Sequence, residues 1–248
     1  MKKLSFVLLL LVIVVTSCSS EDSPALSTEG TLLRKTIGYL NYTSEYFYNG
    51  NKLNRIVNSN GGKLEYFYSG NLITQILYYE NDVLKEKNEM SYDSEERLIT
   101  KKRLMYSNNT ATRTEYNYNF DGTVTLKGFS GDFNLQNTLF NDRKIYFYPN
   151  GNVEKIERYE VIDGVNHIKT SLFTYDDKNY FGNAIVGFNK VKNWEFGIIT
   201  ESNNVISETE TTTENSSSYT YNGTFTYNSF DYPVTLNYLS LNVEYFYQ

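Results

Sequence analysis

Residues 45–56 read EYFYNGNKLNRI, and they return twenty positions later as residues 65–76, EYFYSGNLITQI. The first four letters return once more near the end of the chain, at residues 244–247. Tyr46 and Tyr48 share one face of an extended strand, because successive side chains of a strand point to opposite faces. Asn49-Gly50 tolerates the positive φ angles of a hairpin turn. The stretch therefore predicts a strand, a tight turn and a second strand.

Weaker copies of the same unit follow at intervals of roughly 20–30 residues. They begin at Tyr92, Tyr116, Tyr146 and Phe225. We predict an all-β fold, an antiparallel meander of repeated β-hairpins curled into a barrel-like roll, with residues 31–248 as a single domain. Curling removes exposed sheet edges.

The aliphatic positions of the repeat are three residues apart, Leu53 and Ile56, where a regular strand would place them two apart. Either a β-bulge or a strand with apolar residues on both faces explains this step. The repeat is interrupted once, at residues 180–204, an apolar stretch that holds the only Trp. This segment is predicted to be a loop or short helix that covers an end of the sheet. No long amphipathic helix is expected anywhere after the N-terminal leader.

Residues 1–17 are predicted to be a signal peptide. Lys2 and Lys3 precede the apolar run 6–15, which is too short to span a bilayer core of about 30 Å. With Cys18 behind it, the segment resembles a bacterial lipoprotein signal, which implies cleavage before Cys18 and lipidation of that residue. A non-lipidated signal with an incidental cysteine is the alternative. Residues 18–30 form a polar tether.

The acidic residues just behind Cys18, at 19–23 (SSEDS), resemble the surface-export signal of Bacteroidota lipoproteins. A solvated acidic linker is the alternative. The Y-x-Y-x-x-G-x-L-x-x-I unit is similar to the YD (RHS-type) repeats of bacterial surface proteins. The domain also resembles a Bacteroidota surface lipoprotein family of unknown function that has a porin-like fold.

Two late segments bear the family resemblance. Residues 175–183 (YDDKNYFGN) are similar to Y-D-x-K-x-N-P-F, with Tyr180 at the position of Pro. Residues 227–233 (YNSFDYP) are similar to Y-x-x-x-G-Y-P, with Asp231 at the position of Gly. The resemblance implies a lipid-anchored protein of the outer membrane that is exposed at the cell surface, and it supplies no catalytic residues. A membrane pore is not expected, since a mean hydropathy of −0.49 does not suit a lipid-facing band.

The net charge and the scarcity of histidine argue against several classes of function. The formal net charge is −6, and loss of Lys2 and Lys3 with the leader leaves 21 basic and 29 acidic residues, or −8. Such a charge argues against nucleic acid as a partner. His167 is the only histidine, so histidine-dependent catalysis and a zinc site are disfavoured. Asp176, Asp177 and Asn179 could hold calcium, although they also suit an ordinary turn. We expect no cofactor and no metal.

The aromatic content admits a binding role. The chain has 24 Tyr and 15 Phe, most of which are explained as cross-strand packing pairs of the repeat. Trp194, with Tyr180 and Phe188 nearby, is the predicted ligand-binding group, because it lies where the repeat is interrupted. The chain is predicted to be a non-catalytic lipoprotein that binds a glycan or a surface protein. A purely structural envelope spacer is the alternative. A glycosidase-like enzyme, with two carboxylates about 5–10 Å apart in a cleft, is the third reading.

Overall fold

A computed structural model describes residues 30–196, 202–213, 218–238 and 241–248. The predicted signal peptide, Cys18 and the tether up to residue 29 lie outside the described residues. The domain is a closed antiparallel barrel in which each strand pairs with its neighbour in sequence and β1 pairs with β16. This confirms the predicted all-β meander and shows that the roll closes.

The sixteen strands are β1 Leu33–Ile37, β2 Thr43–Asn49, β3 Lys52–Asn58, β4 Gly62–Ser69, β5 Leu72–Glu80, β6 Val83–Tyr92, β7 Leu98–Met105, β8 Thr110–Tyr118, β9 Val124–Gly131, β10 Gln136–Phe147, β11 Val153–Ile162, β12 Val165–Tyr175, β13 Val205–Thr212, β14 Ser218–Tyr227, β15 Pro233–Tyr238 and β16 Leu241–Tyr247. The only helices within the described ranges are three short 3-10 turns, Tyr39–Asn41, Phe188–Lys190 and Trp194–Phe196.

The opening stretch forms β2, a turn and β3, as predicted. Gly50 in the turn has φ +59°, a conformation that glycine adopts without steric cost. Tyr48 pairs with Leu53 but Phe47 pairs with Arg55, so Asn54 is the extra residue of a β-bulge. The bulge, rather than a strand apolar on both faces, therefore explains the step of three residues. Similar register shifts precede Ile76 on β5 and Ile156 on β11.

A tyrosine hydrogen bond accounts for much of the repeat. The second tyrosine of several units, at the end of its strand, donates from its hydroxyl to a backbone carbonyl at the start of the preceding strand. These bonds join Tyr48 to Leu33 (2.6 Å), Tyr92 to Ile73 (2.7 Å), Tyr118 to Leu98 (3.1 Å), Tyr175 to Val153 (2.7 Å) and Tyr247 to Pro233 (2.7 Å). Each bond ties the end of one strand to the start of the preceding strand on the inside of the barrel.

The outward face of the barrel is charged. Residues that alternate with the buried ones form ion pairs along single strands, such as Lys63 with Glu65 on β4 (3.1 Å) and Lys87 with Glu89 on β6 (2.7 Å). Lys155 and Glu157 form another on β11 (2.7 Å). Cationic side chains cover some of the outward aromatic rings. For example, the Arg55 guanidinium lies 4.3 Å from the ring centre of Phe47.

The interrupting segment enters the barrel instead of lying across its rim. We call residues 180–196 the plug and the end at which it enters, beside the β2–β3 and β4–β5 turns, the plugged end. We call the other end, which bears the β3–β4 and β5–β6 turns, the polar end. Ile185, Val191 and Trp194 of the plug are buried in the main hydrophobic cluster with wall residues of many strands. The sequence predicted a loop or short helix that covers an end of the sheet; the described part of the segment consists of loop and two 3-10 turns, and it lies inside the barrel at one end.

Backbone contacts fix the plug where it enters. The Val186 amide donates to the Asn51 carbonyl in the β2–β3 turn (3.0 Å). Gly187 has φ +72°, and a Cβ atom there would lie 2.3 Å from the Asn71 carbonyl oxygen. Only glycine suits this position, because the conformation is left-handed and the wall backbone is too close for a side chain.

Candidate functional site

The wall of the barrel changes character along its axis. On β11 the inward positions run from Val153 and Ile156 near the plugged end to Arg158 and Glu160 near the polar end. Val153 is fully buried, whereas the Arg158 side chain is 36% exposed. The lumen therefore has a sealed apolar half and a solvated charged half, with the plug between them. The charged half is the candidate site.

The plug is fixed to the wall by a buried ion pair. Lys101 on β7 donates to Glu195 of the plug at 2.7 Å, and their side chains are 7% and 4% exposed. The Tyr116 hydroxyl donates to the second oxygen of the same carboxylate (2.9 Å). The Asn141 side chain donates to the Glu195 carbonyl (2.9 Å). Three strands thus hold one plug residue, which gives the floor of the candidate site a defined position.

Three cations lie side by side on the lumen wall. Arg143 on β10 is the cross-strand partner of Arg158 on β11, which is in turn the partner of Lys169 on β12. Arg143 is buried and donates only to neutral acceptors, the Asn141 side chain (2.9 Å) and the Trp194 carbonyl (2.8 Å). Burial, and then the charge of Arg158, lower the pKa of Arg143 to about 10. We call these three residues the cation row.

Two carboxylates face the cation row from the adjacent strand. Glu208 and Glu210 occupy successive inward positions of β13, about 6.5 Å apart along the strand. Glu210 pairs with Lys169 at 2.6 Å. Burial raises the pKa of Glu208, and the charge of Glu210 raises it further, against a hydrogen bond from Ser171 and the charge of Lys169. Burial therefore makes ionisation of Glu208 less favourable than it is for a glutamate in water.

Three cavities open along the lumen wall, and two of them are lined in part by the plug. One of about 230 Å³ lies between the cation row, Glu208 and Glu210. A second, of about 360 Å³, shares Glu208 and is otherwise mostly aromatic and aliphatic. A third, of about 340 Å³, lies against β4–β7 and the other side of the plug. The lining of the second is Phe173, Tyr180, Phe181, Asn204, Val205, Glu208, Phe225, Leu236, Tyr238 and Tyr245.

The three residues predicted to bind a ligand all belong to the plug, but they have different surroundings. Tyr180 lines the second cavity and Phe188 lines the third. The Trp194 residue is 2% exposed and its indole packs against Phe147 (5.4 Å between ring centres) and Tyr116 (6.1 Å). Its indole is thus a core group of the plug, whereas Tyr180 and Phe188 each border a cavity.

The other residues singled out in the sequence have structural surroundings. His167 lies on β12 close to the β11–β12 turn, opposite Glu160. The Asp176 carboxylate accepts hydrogen bonds from the Lys178 amide (3.1 Å), from Asn204 and from the Tyr227 hydroxyl, which is the arrangement of a turn-stabilising residue. Within the described ranges, no group of three or more His, Cys, Asp and Glu is arranged to hold a metal ion.

The cation row and the two glutamates were not identified from the sequence. A signal for them exists in the register of the repeat. Once the bulge is placed before Ile156, the residue two positions later, Arg158, must face inward. The same reasoning places Lys101 inward, three residues after Leu98 on β7. Lys169 and Glu208 gave no such signal, because β12 and β13 lack a clear copy of the repeat.

Comparisons with known proteins indicate the fold. No protein-family model matches the sequence, and no curated protein matches it. The structure is similar to a porin-like protein from Bacteroides vulgatus, with a TM-score of 0.59 and 11% sequence identity over 88% of this chain and 99% of the other. It is also similar to a porin-like protein from Bacteroides uniformis, with a TM-score of 0.51 and 12% identity over 88% and 98%.

These two similarities show a shared barrel fold, which agrees with the predicted porin-like architecture. At such low identity they are confined to the fold. Separately, no helix in the described part of the chain has the length and hydrophobicity needed to cross a bilayer.

Proposed function

We propose that the chain is a non-catalytic, lipid-anchored lipoprotein of the outer membrane that binds a glycan in the charged half of its lumen. The observation that carries this proposal is the plug. A barrel of this strand number encloses more space than its wall side chains can fill. The plug completes a hydrophobic core and leaves separate cavities in the lumen, so the lumen suits binding better than conduction.

The outward face favours a barrel that stands in water. A membrane barrel needs an apolar band on the outside, and an Arg or Lys at the middle of that band costs about 2–4 kcal/mol. Lys63, Lys87 and Lys155 with their carboxylate partners are on this outward face, on three different strands. Attachment to the membrane then requires a separate element, and a lipid on Cys18 supplies it.

The path of the chain orients the barrel relative to that anchor. The Gly30 carbonyl accepts a hydrogen bond from Asn228 in the β14–β15 turn (2.8 Å), and the Leu32 carbonyl accepts one from the Gln248 amide (3.1 Å). Both contacts are at the plugged end. The tether therefore reaches the domain on its sealed side, and the charged half of the lumen is free to face away from the membrane.

The anchor and its location are tested by metabolic labelling and protease accessibility. Wild-type protein should incorporate a radiolabelled or clickable fatty acid, and Cys18→Ala should abolish the label. Protease added to intact cells should remove the domain if it faces outward. Unchanged labelling of Cys18→Ala would refute the lipoprotein assignment, and full protection of a protease-sensitive domain would place it on the inner side.

The binding role is tested with a glycan array and with pull-downs from the outer membrane, using the folded domain. Tyr180→Ala removes an aromatic ring from the second cavity, and Tyr159→Ala removes an outward tyrosine as a matched control. Loss of binding in the first variant alone supports the lumen site. No binding in either assay, together with an envelope defect on deletion, would favour the structural spacer instead.

A protein partner is the second form of the binding proposal. It is favoured by apolar side chains at the polar end, where Leu40 is 81% exposed, Val161 70% and Tyr219 61%. Exposed apolar groups of this kind often mark interaction sites. Replacing Leu40 and Val161 by Ser should then abolish capture of a partner and leave glycan binding unchanged.

One observation favours a catalytic alternative. Glu208 and Glu210 line one cavity from successive inward positions of β13, and the pKa of Glu208 is raised, as a glycosidase pair of carboxylates requires of its acid. Wild-type protein should be incubated with polysaccharides and chromogenic glycosides. Hydrolysis that is lost in both Glu208→Gln and Glu210→Gln would replace the non-catalytic proposal. No hydrolysis of any glycan that the protein binds would exclude the alternative.

A further inference from the structure

We propose that the cation row is a subsite for the anionic group of an acidic saccharide, a carboxylate or a sulfate ester on a sugar ring. This inference rests on the proposed glycan-binding function and specifies the chemical class of the ligand. Arg143, Arg158 and Lys169 supply the cations, and the cavity beside them admits a group of this kind.

The arrangement of the cation row is costly without an anion. Like charges directly opposite each other on neighbouring strands destabilise a sheet, yet Arg143, Arg158 and Lys169 occupy three consecutive opposite positions. A bound oxyanion would lie within reach of more than one of them and would relieve this repulsion. Guanidinium groups suit such a ligand, because their planar donors match carboxylate and sulfate oxygens.

Part of the donor capacity of the cation row is unused. Arg158 pairs with Glu160 through one terminal nitrogen (2.5 Å), and its Nε atom is buried with no hydrogen-bond partner among the residues that the structure describes. A buried donor of this kind costs free energy unless a ligand or a water satisfies it. Arg143 donates to two neutral acceptors and to no carboxylate.

The charges around the cation row are close to balanced although the protein is acidic. Glu160 and Glu210 each neutralise one cation of the row by direct pairing. Glu208 is a third carboxylate at the same cavity, and burial raises its pKa. An anion would therefore be held mainly by directed hydrogen bonds from the row, in a half-buried site where screening by salt is weaker than at the surface.

The cavities beside the cation row fit a sugar. The cavity at the row is about 230 Å³, a volume that corresponds to roughly seven or eight waters at 30 Å³ each. Glu208 connects it with the aromatic cavity that contains Tyr180. A charged substituent would lie at the row, ring hydroxyls would bond to Ser171 and the glutamates, and an apolar sugar face would contact an aromatic ring. A binding site with few polar groups beside aromatic walls is the usual form of a small-ligand site.

The test compares two oligosaccharide probes that differ in one group, galacturonate oligomers and galactose oligomers of equal length, by calorimetry at low and moderate salt. Sulfated galactose oligomers form a third arm that separates a tetrahedral anion from a planar one. We expect the uronate or the sulfate to bind at least about tenfold more tightly than the neutral oligomer, since the anionic group would gain charge-assisted hydrogen bonds from the row. Binding should weaken with salt.

Variants assign the effect to the row. Arg158→Gln and Lys169→Gln should each reduce affinity for the anionic probe about tenfold and leave neutral-probe affinity unchanged. Lys127→Gln, which removes one outward cation of β9, is the matched control and should change neither. Arg143 is left intact, because it also donates to the plug backbone. Circular dichroism and thermal unfolding confirm that each variant is folded.

The outcomes separate this inference from the proposed function. Equal affinity for anionic and neutral probes, or binding that Arg158→Gln and Lys169→Gln both leave intact, would overturn the acidic-saccharide subsite and keep the glycan-binding lumen. Binding of a neutral glycan from the array that Tyr180→Ala weakens and neither row variant changes would likewise overturn the acidic-saccharide subsite and keep the glycan-binding lumen. Failure of every probe and of the whole array would overturn both.

Discussion

The two halves of the lumen are built by the same hairpins but differ in the residues that line them. On β7, the inward residue nearest the plugged end is Leu98, which is 1% exposed, and the next two are Lys101 and Arg103, with Lys101 still 7% exposed and the Arg103 side chain at 34%. The pattern on β11 is the same. The buried apolar residues lie beside the bulges and the hydrogen-bonded tyrosines. The charged inward residues follow a few positions further along each strand.

The boundary between the halves is the plug. Its apolar residues complete the core of the sealed half, and Glu195 meets Lys101 where the charged half starts. The comparison teaches that a repeat can stabilise a barrel through the residues at one end of each hairpin. The inward residues at the other end are then not constrained by the repeat. Substitutions in the sealed half should therefore affect stability, and those in the charged half should affect binding.

The largest effect is expected from Trp194→Ala. Truncating a fully buried Trp costs about 3–5 kcal/mol, because it leaves a cavity between Tyr116 and Phe147. Equilibrium denaturation in urea measures the free energy of unfolding. Tyr180→Ala, a half-buried plug aromatic beside the second cavity, is the control, with a smaller loss of stability and a larger loss of binding. Equal destabilisation by both substitutions would contradict the division.

A comparable or somewhat smaller effect is expected from Glu195→Ala. Removal of Glu195 leaves the buried Lys101 charged without its carboxylate, and breaking a buried ion pair in this way costs about 3–5 kcal/mol. The matched control is Glu65→Ala on the outward face, where a surface pair with Lys63 contributes about 0–1 kcal/mol. The double variant Lys101→Met with Glu195→Leu should recover much of the loss. A Glu195→Ala domain as stable as Glu65→Ala would show that the ion pair does not hold the plug.

A moderate effect is expected from Tyr92→Phe. The substitution removes the hydroxyl that donates to the Ile73 carbonyl (2.7 Å) and leaves that buried acceptor unsatisfied, at a cost of about 1–3 kcal/mol. Tyr79→Phe, an outward tyrosine on β5, is the control and should change stability by less than about 0.5 kcal/mol. Urea denaturation of the two variants compares them. If neither substitution changes the free energy of unfolding, the tyrosine recurs in the repeat for the packing of its ring rather than for its hydroxyl.

The sealed half was predictable from the sequence and the charged half was not, for a physical reason. The repeat combines a turn conformation at Gly50 with a strand pattern at Tyr48 and Leu53, always at the same spacing. Each copy of the repeat therefore supports the prediction made from the others. The cation row depends on register across three strands, and a single bulge shifts which residues face inward. The direction of the plug into the lumen depends on contacts such as that of Gly187 with Asn71, which no local pattern encodes.

The smallest effect concerns pH, and its sign should differ between the two halves. Asp121, in the β8–β9 turn at the plugged end, accepts hydrogen bonds from the Thr123 side chain and amide, which together with Lys144 lower its pKa to about 2. The stability it contributes is present above the unfolded value of 3.8 and is lost as the pH falls toward 2. Asp121→Asn should therefore lower Tm slightly at pH 6, and the difference from wild type should vanish near pH 2.

Glu208 in the charged half should behave in the opposite way. Its folded-state pKa is raised, so its ionisation opposes folding above that pKa, and this penalty is absent below the unfolded value of 4.5. Glu208→Gln should raise Tm slightly at pH 7 and match wild type at pH 3. Thermal unfolding by circular dichroism across this pH range measures both variants. Removal of the Glu208 carboxylate, whose ionisation burial disfavours, should stabilise the domain, whereas removal of a turn carboxylate at the plugged end should weaken it. The same sign for both variants would contradict the comparison between the two halves.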